Sequence, residues 1–239
     1  MDQFFYSSHI YDNTIMLPED EALHVLKVLR KKTEDQIKVV DGKGNLYHTS
    51  IGSENIQDCR LKILSVDKNY KHPNYHIHIV IAPPKSHDRV ELFVEKAVEI
   101  GVQEISFIIT EHSERNNVKF NRIHKRAVSA MKQSLKAYLP QINDMVSITD
   151  FIRSCRNSEK FIALLNEDVT THLIHSVSKR KDYCILIGPE GDFADYEIDE
   201  SLKYDFKPIS LGGNRLRTET AGITACHILN LVNESNDAN

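Results

Sequence analysis

The chain has 239 residues, of which 41% are hydrophobic and 27% charged, and its formal net charge is −4 at pH 7. This composition is typical of a soluble globular protein. No apolar run approaches the roughly 20 residues that a membrane-spanning helix needs. The opening segment MDQFFYSSHIYDN lacks the basic and apolar regions of a signal peptide. We therefore expect a cytoplasmic protein with no membrane association.

Cysteine and histidine spacing gives no sign of a disulfide framework or a metal site. The four cysteines are scattered along the chain without a CxxC pair, at positions 59, 155, 184 and 226. Such spacing favours reduced thiols. His76 and His78 would lie on one side of a strand. No third ligand accompanies them, so we expect a structural or solvent-facing role and no metal.

Residues 1–72 predict a β-rich module with one helix. In PEDEALHVLKVLRK (18–31), apolar residues recur at near-helical spacing, and acids at the start and bases at the end match the helix dipole. Residues 36–51 indicate two strands around an Asp-Gly-Lys-Gly turn. CRLKILSVD (59–67) alternates as a third strand, and the polar segment 68–74 is typical of a linker.

After this linker, strands alternate with helices. The predicted strands are HIHIVIAPP (76–84), EISFIIT (104–110), FIALLNE (161–167), YCILIGPEG (183–191) and PISL (208–211). Helical spacing marks DRVELFVEKAVEIG (88–101), with Gly101 as its stop, and the last helix, for which Thr218 or Thr220 is a candidate cap. A further helix follows Asp192 or Asp195. This alternation predicts an α/β fold with a parallel sheet.

Positive charge is concentrated in one segment. Residues 111–140 contain seven Lys/Arg and two acids, a net of +5, which leaves −9 for the rest of the chain. Within the helix NRIHKRAVSAMKQSLKAYLP, one face presents the cations Arg122, Lys125, Arg126, Lys132 and Lys136, and no acid. A solvated helix face is one interpretation. The other is a phosphate-binding surface for nucleic acid.

Two glycine-bearing loops follow predicted strands, at residues 188–191 (GPEG) and 212–213. If those strands are neighbours, the loops form one pocket at the carboxyl edge of the sheet, suited to a small molecule with an adenine and a polar tail. A tight structural turn is the alternative for GPEG, which matches neither a Walker loop nor GxGxxG. Arg215, Arg217 and Glu219 would line or flank the pocket, unless the arginines pair with acidic neighbours.

Five motifs, taken together, resemble the RsmE-type 16S rRNA (uracil-N3) methyltransferases of the SPOUT superfamily. They are HVLKVLR (24–30), KAVEIGV (96–102), SERNNVK (113–119), IGPEGDF (187–193) and LGGNRLRTETA (211–221). The resemblance implies a PUA-like RNA-binding β-barrel over 1–72 and a methyltransferase domain with a trefoil knot over 73–239. It also implies S-adenosyl-L-methionine as cofactor, a homodimer, and methylation of N3 of one uridine of 16S rRNA, position 1498 in that family's naming.

The resemblance also assigns residues. Those expected at the cofactor are Leu165, Gly188, Pro189, Glu190, Gly191, Leu211, Gly212, Gly213, Arg215, Leu216, Thr220 and Ala221. Arg115 or Arg217 would place a cation beside O2 or O4 of the target uracil. Glu219 is either a base or structural. RNA contacts are expected from Arg30, Arg122, Lys125, Arg126, Lys132 and Gln133.

This sequence departs from the family pattern at three places. We expect a glycine where Asp192 stands, a Pro-Arg pair at residues 213–214 and a glutamate at Lys132. Two other functions compete with N3 methylation. One is ribose 2′-O-methylation by a SPOUT enzyme, and the other is a non-catalytic RNA-binding factor for ribosome assembly.

Overall fold

A computed structural model describes residues 3–166 and 168–234. The chain divides into two compact units. One comprises Met1–His72 and Val128–Leu139, and the other comprises Pro73–Ala127 and Pro140–Asn239. The segment 128–139 therefore joins the first unit, although a division of the sequence at residue 72 separates the two.

The first unit is built on a six-stranded sheet. Strands β1 to β6 are Phe4–Tyr6, Ile10–Tyr11, Thr14–Met16, Gln36–Val40, Leu46–Ile51 and Arg60–Asp67. Their order is β1-β4-β5-β6-β3-β2, and every pairing except the parallel β1–β4 pair is antiparallel. Helix α1, Glu19–Leu23, continues into a π-helical turn at His24–Val28, and a short 3₁₀ turn covers Ile56–Asp58. The predicted helix, hairpin and third strand are confirmed.

The hairpin between β4 and β5 turns on one aspartate. Oδ1 of Asp41 accepts hydrogen bonds from the backbone N–H of Lys43 at 2.7 Å and of Asn45 at 3.1 Å. Gly42 and Gly44 have φ of 75° and 99°, a conformation that glycine adopts without steric penalty. The Asp-Gly-Lys-Gly sequence therefore supplies both the acceptor and the backbone freedom that this turn requires.

The second unit contains a seven-stranded, wholly parallel sheet. Strands β7 to β13 are His76–Ile81, Glu104–Ile109, Gln141–Ile142, Val146–Ser147, Glu159–Ala163, Asp182–Ile187 and Lys207–Ile209. The order is β10-β8-β7-β12-β11-β13, and β9 also pairs with β8. Helices α2 to α7 are His87–Ile100, Phe120–Gln133, Ile148–Ser154, Leu173–Ser176, Asp195–Lys203 and Thr218–Glu234. Helix α3 continues past Ala127, so its last residues belong to the first unit. The predicted α/β fold with a parallel sheet is confirmed.

Helices α2 and α7 pack closely through a glycine. A Cβ placed on Gly222 of α7 would lie 2.7 Å from Cε2 of Phe93 in α2 and 3.2 Å from Cδ1 of Ile81 in β7. Both of these side chains are fully buried. Only a residue without a side chain allows this approach, and it fixes the start of α7 against the carboxyl end of β7.

Several predicted elements occur within two or three residues of their expected ends. The helix predicted over 121–140 is wrong at its end, because α3 stops at Gln133 and Lys136 lies beyond it. The predicted strand over 161–167 is β11, which begins earlier and ends at Ala163, and Glu167 lies outside the described residues. Helix α7 begins at Thr218, so neither threonine occupies the cap position that precedes it. In the described part of the chain, no helix has the length and apolar character needed to cross a bilayer.

Candidate functional site

A cavity of about 630 Å³ opens at the carboxyl ends of β11, β12 and β13, in the second unit. Its wall consists of Arg89, Ala163, Leu164, Leu165, Ile187, Gly188, Pro189, Glu190, Asp192, Leu211, Gly212, Asn214, Arg215, Leu216, Arg217, Thr218 and Ala221. In parallel α/β sheets, ligands bind at this edge because loops and helix N-termini present their polar groups there. The volume is within the range of small-molecule sites.

The two glycine loops meet at the cavity, but the strands that lead into them are not neighbours. Strand β11 lies between β12 and β13 and pairs with both. The condition under which the sequence predicts one pocket, neighbouring strands, is therefore not met. The loops enclose a cavity because β11 ends between them, and its continuation through Leu164 and Leu165 forms the wall there.

The GPEG loop is a tight turn closed by its own backbone. The N–H of Asp192 donates to the carbonyl of Pro189 at 3.1 Å, and the N–H of Phe193 donates to Oδ1 of Asp192 at 2.8 Å. Asp192 has φ of 63°, in the left-handed region that glycine favours and that aspartate tolerates better than most residues. Asp192, which stands where a glycine was expected, is therefore compatible with this turn.

The loop after β13 leaves open space beside its backbone. Oγ of Ser210 accepts the N–H of Gly212 at 3.1 Å, and Gly212 has φ of 122°. A Cβ placed on Gly212 or Gly213 would meet no heavy atom within 4 Å. Gly212 thus lets the backbone itself form part of the cavity wall, which suits recognition of a ligand through main-chain groups.

The structure places most, but not all, predicted site residues on the cavity wall. Among those expected at the cofactor, the wall includes Leu165, Gly188, Pro189, Glu190, Leu211, Gly212, Arg215, Leu216 and Ala221. Gly191, Gly213 and Thr220 are exposed nearby and do not line it. Of the three predicted catalytic residues, only Arg217 lies on the wall. The cofactor roles themselves stay predictions.

Sequence reasoning missed Arg89, in the first turn of α2. Its Nε lies 3.6 Å from Oε1 of Glu219, whose side chain is only 6% exposed. Oε2 of Glu219 is buried without a hydrogen-bond partner among the described residues. The available signal was position, because α2 starts a few residues after the carboxyl end of β7, where α/β sites form. The structure thus buries Glu219 behind Arg89.

Neither Arg215 nor Arg217 forms the acidic pairs that the sequence left open. Nη2 of Arg215 donates to the backbone carbonyl of Glu190 at 3.4 Å, whereas the carboxylate of Glu190 accepts the N–H of Lys85 at 3.2 Å. Arg217 is exposed and has no ion pair with any described residue. Its charge is therefore available at the cavity.

Arg115 is held away from the cavity wall. Its Nε donates to the carbonyl of Lys85 at 3.1 Å, and its Nη1 lies 2.8 Å from Nε2 of His87. The pKa of His87 is lowered, first by partial burial and then by the positive charge of Arg115, which favours a neutral ring that accepts this hydrogen bond. Arg115 thus serves, in this structure, as a tie between the segment 113–119 and the start of α2.

The basic face of α3 is balanced by acids from other segments. Glu91 in α2 contacts Arg122 at 2.7 Å and Arg126 at 3.3 Å, and Arg126 also lies 3.2 Å from Glu95. Within the first unit, Lys132 pairs with the buried Glu21. The expectation that no acid offsets these cations is therefore wrong, because the sequence of one helix does not reveal carboxylates on its neighbours.

His76 and His78 lie at the opposite, amino edge of the parallel sheet. Nε2 of His78 is 2.8 Å from Oγ of Ser106, and His76 lies 3.1 Å from Asp182 and 3.4 Å from Glu104. Burial lowers the pKa of His78. The described residues contain no group of three His, Cys, Asp or Glu arranged for a metal ion. A second cavity of about 350 Å³ borders His78.

Comparison with known proteins matches both units. The RNA methyltransferase domain model matches residues 71–230, and the RNA methyltransferase PUA domain model matches residues 17–64. The curated Ribosomal RNA small subunit methyltransferase E of Rickettsia conorii is 29% identical over 230 residues, covering 93% of this chain and 92% of its own length.

Two solved structures extend the match to the fold. A probable rRNA-methyltransferase from Porphyromonas gingivalis has 39% sequence identity and a TM-score of 0.89, covering 95% of this chain and 98% of its own. A putative methyltransferase from Legionella pneumophila, in complex with bound SAM, has 26% identity and a TM-score of 0.86, covering 98% of each chain. The similarity thus spans nearly the full length of all three relatives.

Proposed function

Because the chain belongs to the RNA methyltransferase family, whose domain model spans residues 71–230, we propose that it methylates N3 of a uridine in 16S rRNA, with S-adenosylmethionine as the methyl donor. The observation that carries the proposal is the cavity enclosed by the GPEG loop and the LGGNRLRTETA loop. The name of the curated relative supports the rRNA substrate, and the SAM-bound relative supports the cofactor. The RsmE-type resemblance is in line with both.

The cavity fits S-adenosylmethionine in size and in the chemistry of its wall. Aliphatic side chains of Ala163, Leu164 and Ile187 offer an apolar surface for an adenine ring. The turn at Gly188, Pro189 and Glu190 and the open backbone at Gly212 offer main-chain donors and acceptors for polar edges. We assign these residues to holding the cofactor.

The cofactor, when bound, supplies an electrophilic methyl group. The protein must orient the uridine and favour loss of the proton from N3, since protonated N3 is not nucleophilic. A fixed cation near O2 or O4 stabilises the negative charge that develops on the uracil ring. We assign this role to Arg217, which is exposed on the cavity wall, in preference to Arg115, whose guanidinium is engaged by Lys85 and His87.

Glu219 is a weaker candidate for a general base than for a structural role. A general base must reach the proton that it removes, directly or through one water. Glu219 is buried, does not line the cavity and faces Arg89. We therefore assign it to the support of the site.

The remaining expectations extend the same proposal. RNA would be held by the exposed Gln133 and by exposed cations such as Arg30 and Lys125, neither of which has an ion pair with another described residue. Arg122, Arg126 and Lys132 would contribute only as members of their ion pairs. We also propose a trefoil knot formed by the loops around the cavity, a homodimer, and a cytoplasmic location. The RsmE-type resemblance of the sequence supports the knot.

Methyl transfer to isolated ribosomal subunits tests the function. The protein is incubated with tritiated S-adenosylmethionine and unmodified 30S subunits, and the product is mapped by nucleoside mass spectrometry. We expect 3-methyluridine in 16S rRNA. Detection of a 2′-O-methyl nucleoside would instead show that the protein methylates ribose and not N3. Absence of cofactor binding by calorimetry would favour an assembly factor.

Two variants separate chemistry from binding. Arg217→Ala should retain S-adenosylmethionine affinity and lose most methyl transfer, by about 100-fold or more, as expected for loss of a charge that stabilises the transition state. Arg153→Ala is the matched control, because Arg153 is an exposed arginine that pairs with Glu200 away from the cavity. Normal turnover by Arg217→Ala would remove Arg217 from the mechanism.

A further inference from the structure

Arg89 and Glu219 form a pair in which the arginine borders the cavity and the carboxylate lies behind it. The Arg89 side chain is 36% exposed and lines the wall, whereas the Glu219 side chain is 6% exposed and does not. The two residues come from the first turns of α2 and α7. The close packing at Gly222 holds these two helix starts together. The backbone position of Arg89 is therefore fixed by rigid elements.

The pair leaves hydrogen-bonding groups unused on both sides. An arginine that neutralises a buried carboxylate often does so through a two-pronged contact. Here the nearest approach, from Nε to Oε1, is 3.6 Å, which is longer than a hydrogen bond. Oε2 of Glu219 has no partner, and no hydrogen bond joins the guanidinium to another described residue. Glu219 thus offsets the charge of Arg89 without occupying its donors.

The charged residues near Arg89 do not accept hydrogen bonds from its guanidinium either. Of the other basic residues on the wall, Arg215 contacts the carbonyl of Glu190, and Arg217 is exposed. The carboxylate of Glu190 accepts a hydrogen bond from the backbone of Lys85. A planar guanidinium with free N–H groups at a cavity wall is suited to a carboxylate or a phosphate, which it binds with two parallel hydrogen bonds.

We propose that Arg89 binds an anionic group of a molecule held in the cavity, and that Glu219 is the positioning residue that orients Arg89. This assignment rests on the proposed function, from which the two possible sources of the anion follow. One is the carboxylate at the amino-acid end of the methyl donor. The other is a phosphate of the RNA beside the target uridine.

Calorimetry with two probes tests the carboxylate source. S-Adenosylmethionine carries the carboxylate, and 5′-methylthioadenosine lacks it while keeping the adenosine and the sulfur. Arg89→Gln should weaken S-adenosylmethionine binding by about tenfold or more, the scale of a charged hydrogen bond, and leave methylthioadenosine affinity within twofold. Arg153→Gln is again the matched control, and thermal melting checks that each variant is folded.

Steady-state kinetics with 30S subunits tests the phosphate source. In that case Arg89→Gln should leave S-adenosylmethionine affinity unchanged and raise the KM for subunits by about tenfold, with kcat largely retained. Arg89→Lys keeps the positive charge but lacks the paired N–H donors of a guanidinium. Its loss, in S-adenosylmethionine affinity or in KM for subunits, should therefore be smaller than that of Arg89→Gln. If Arg89→Gln does not fold, Arg89→Lys and Glu219→Gln are used in its place in both the calorimetry and the kinetics.

Glu219→Gln distinguishes positioning from a general structural effect. It should reproduce part of the Arg89→Gln loss, about threefold to tenfold, and add nothing further in the Arg89→Gln background. The proposal would be overturned if folded Arg89→Gln kept both its S-adenosylmethionine affinity and its KM for subunits within twofold of wild type. Where Arg89→Gln does not fold, the same result in Arg89→Lys and Glu219→Gln would overturn it. Failure of the wild-type protein to bind S-adenosylmethionine would instead overturn the proposed function, so the two failures are distinguishable.

Discussion

Replacing Gly222 by alanine sets two effects of known size against each other. Inside a helix, alanine is favoured over glycine by about 1 kcal/mol. The added methyl group would lie 2.7 Å from Cε2 of Phe93, closer than side-chain carbons pack, so the ring must move. Phe93 is fully buried, and overpacking a closed core costs about 1–3 kcal/mol. Because neither the ring nor the helix start has free space, we expect the upper part of that range.

The expected net result is a loss of about 1–2 kcal/mol in the free energy of unfolding. For a chain of this size, the melting temperature should fall by about 2–8 °C, measured by circular dichroism. Binding of S-adenosylmethionine should weaken as well, because the neighbouring Ala221 lies on the cavity wall.

Gly213→Ala is the control for Gly222→Ala, since its Cβ would meet no heavy atom within 4 Å. Its stability should change by less than about 0.5 kcal/mol. In the double variant Gly222→Ala/Phe93→Leu, the smaller side chain should relieve part of the clash. The loss of unfolding free energy in the double variant should therefore be smaller than the sum of the losses in the two single variants. A Gly222→Ala protein that melts at or above the wild-type temperature would refute this account of the α2–α7 contact.

Three further predictions concern other parts of the chain. Gly44→Ala should destabilise the first unit by about 2–3 kcal/mol in chemical unfolding, because Gly44 has φ of 99° and its Cβ would overlap the Tyr138 ring. Burial lowers the pKa of His78, so below about pH 6.5 the unfolded state binds more protons than the folded state. The melting temperature should therefore fall between pH 7 and pH 5.5, and it should fall less in His78→Gln. A hydrogen bond from Cys184 lowers the pKa of Cys155 to about 7, so alkylation by iodoacetamide should rise with a midpoint near pH 7 and vanish in Cys155→Ser.

The sequence predicted elements whose signal is local. Buried runs such as residues 183–187 can be recognised as strands because both faces of a parallel sheet exclude water. Strands β9 and β10 have two residues each, too few to show any periodicity. Their pairing with β8 depends on contacts that no local pattern encodes.

For the candidate site, the loops were predictable and their surroundings were not. The glycines at 188 and 212 mark turns because of their backbone freedom, which is a property of single residues. Insertion of β11 between β12 and β13, and the approach of Arg89 to Glu219, join segments more than 20 residues apart. The same reason explains why Glu91 was not recognised as the partner of the basic helix.

The pairing of Glu91 with Arg122 and Arg126 has a consequence for the thermodynamics of RNA binding. When a free cation meets a phosphate, condensed counterions leave the RNA, and the affinity falls steeply with salt. A cation that already has a carboxylate beside it attracts phosphate less and releases fewer ions. The slope of log affinity against log salt should therefore reflect cations such as Lys125 more than the number of basic residues on α3. Glu91→Gln should steepen that slope, with Glu200→Gln as the control.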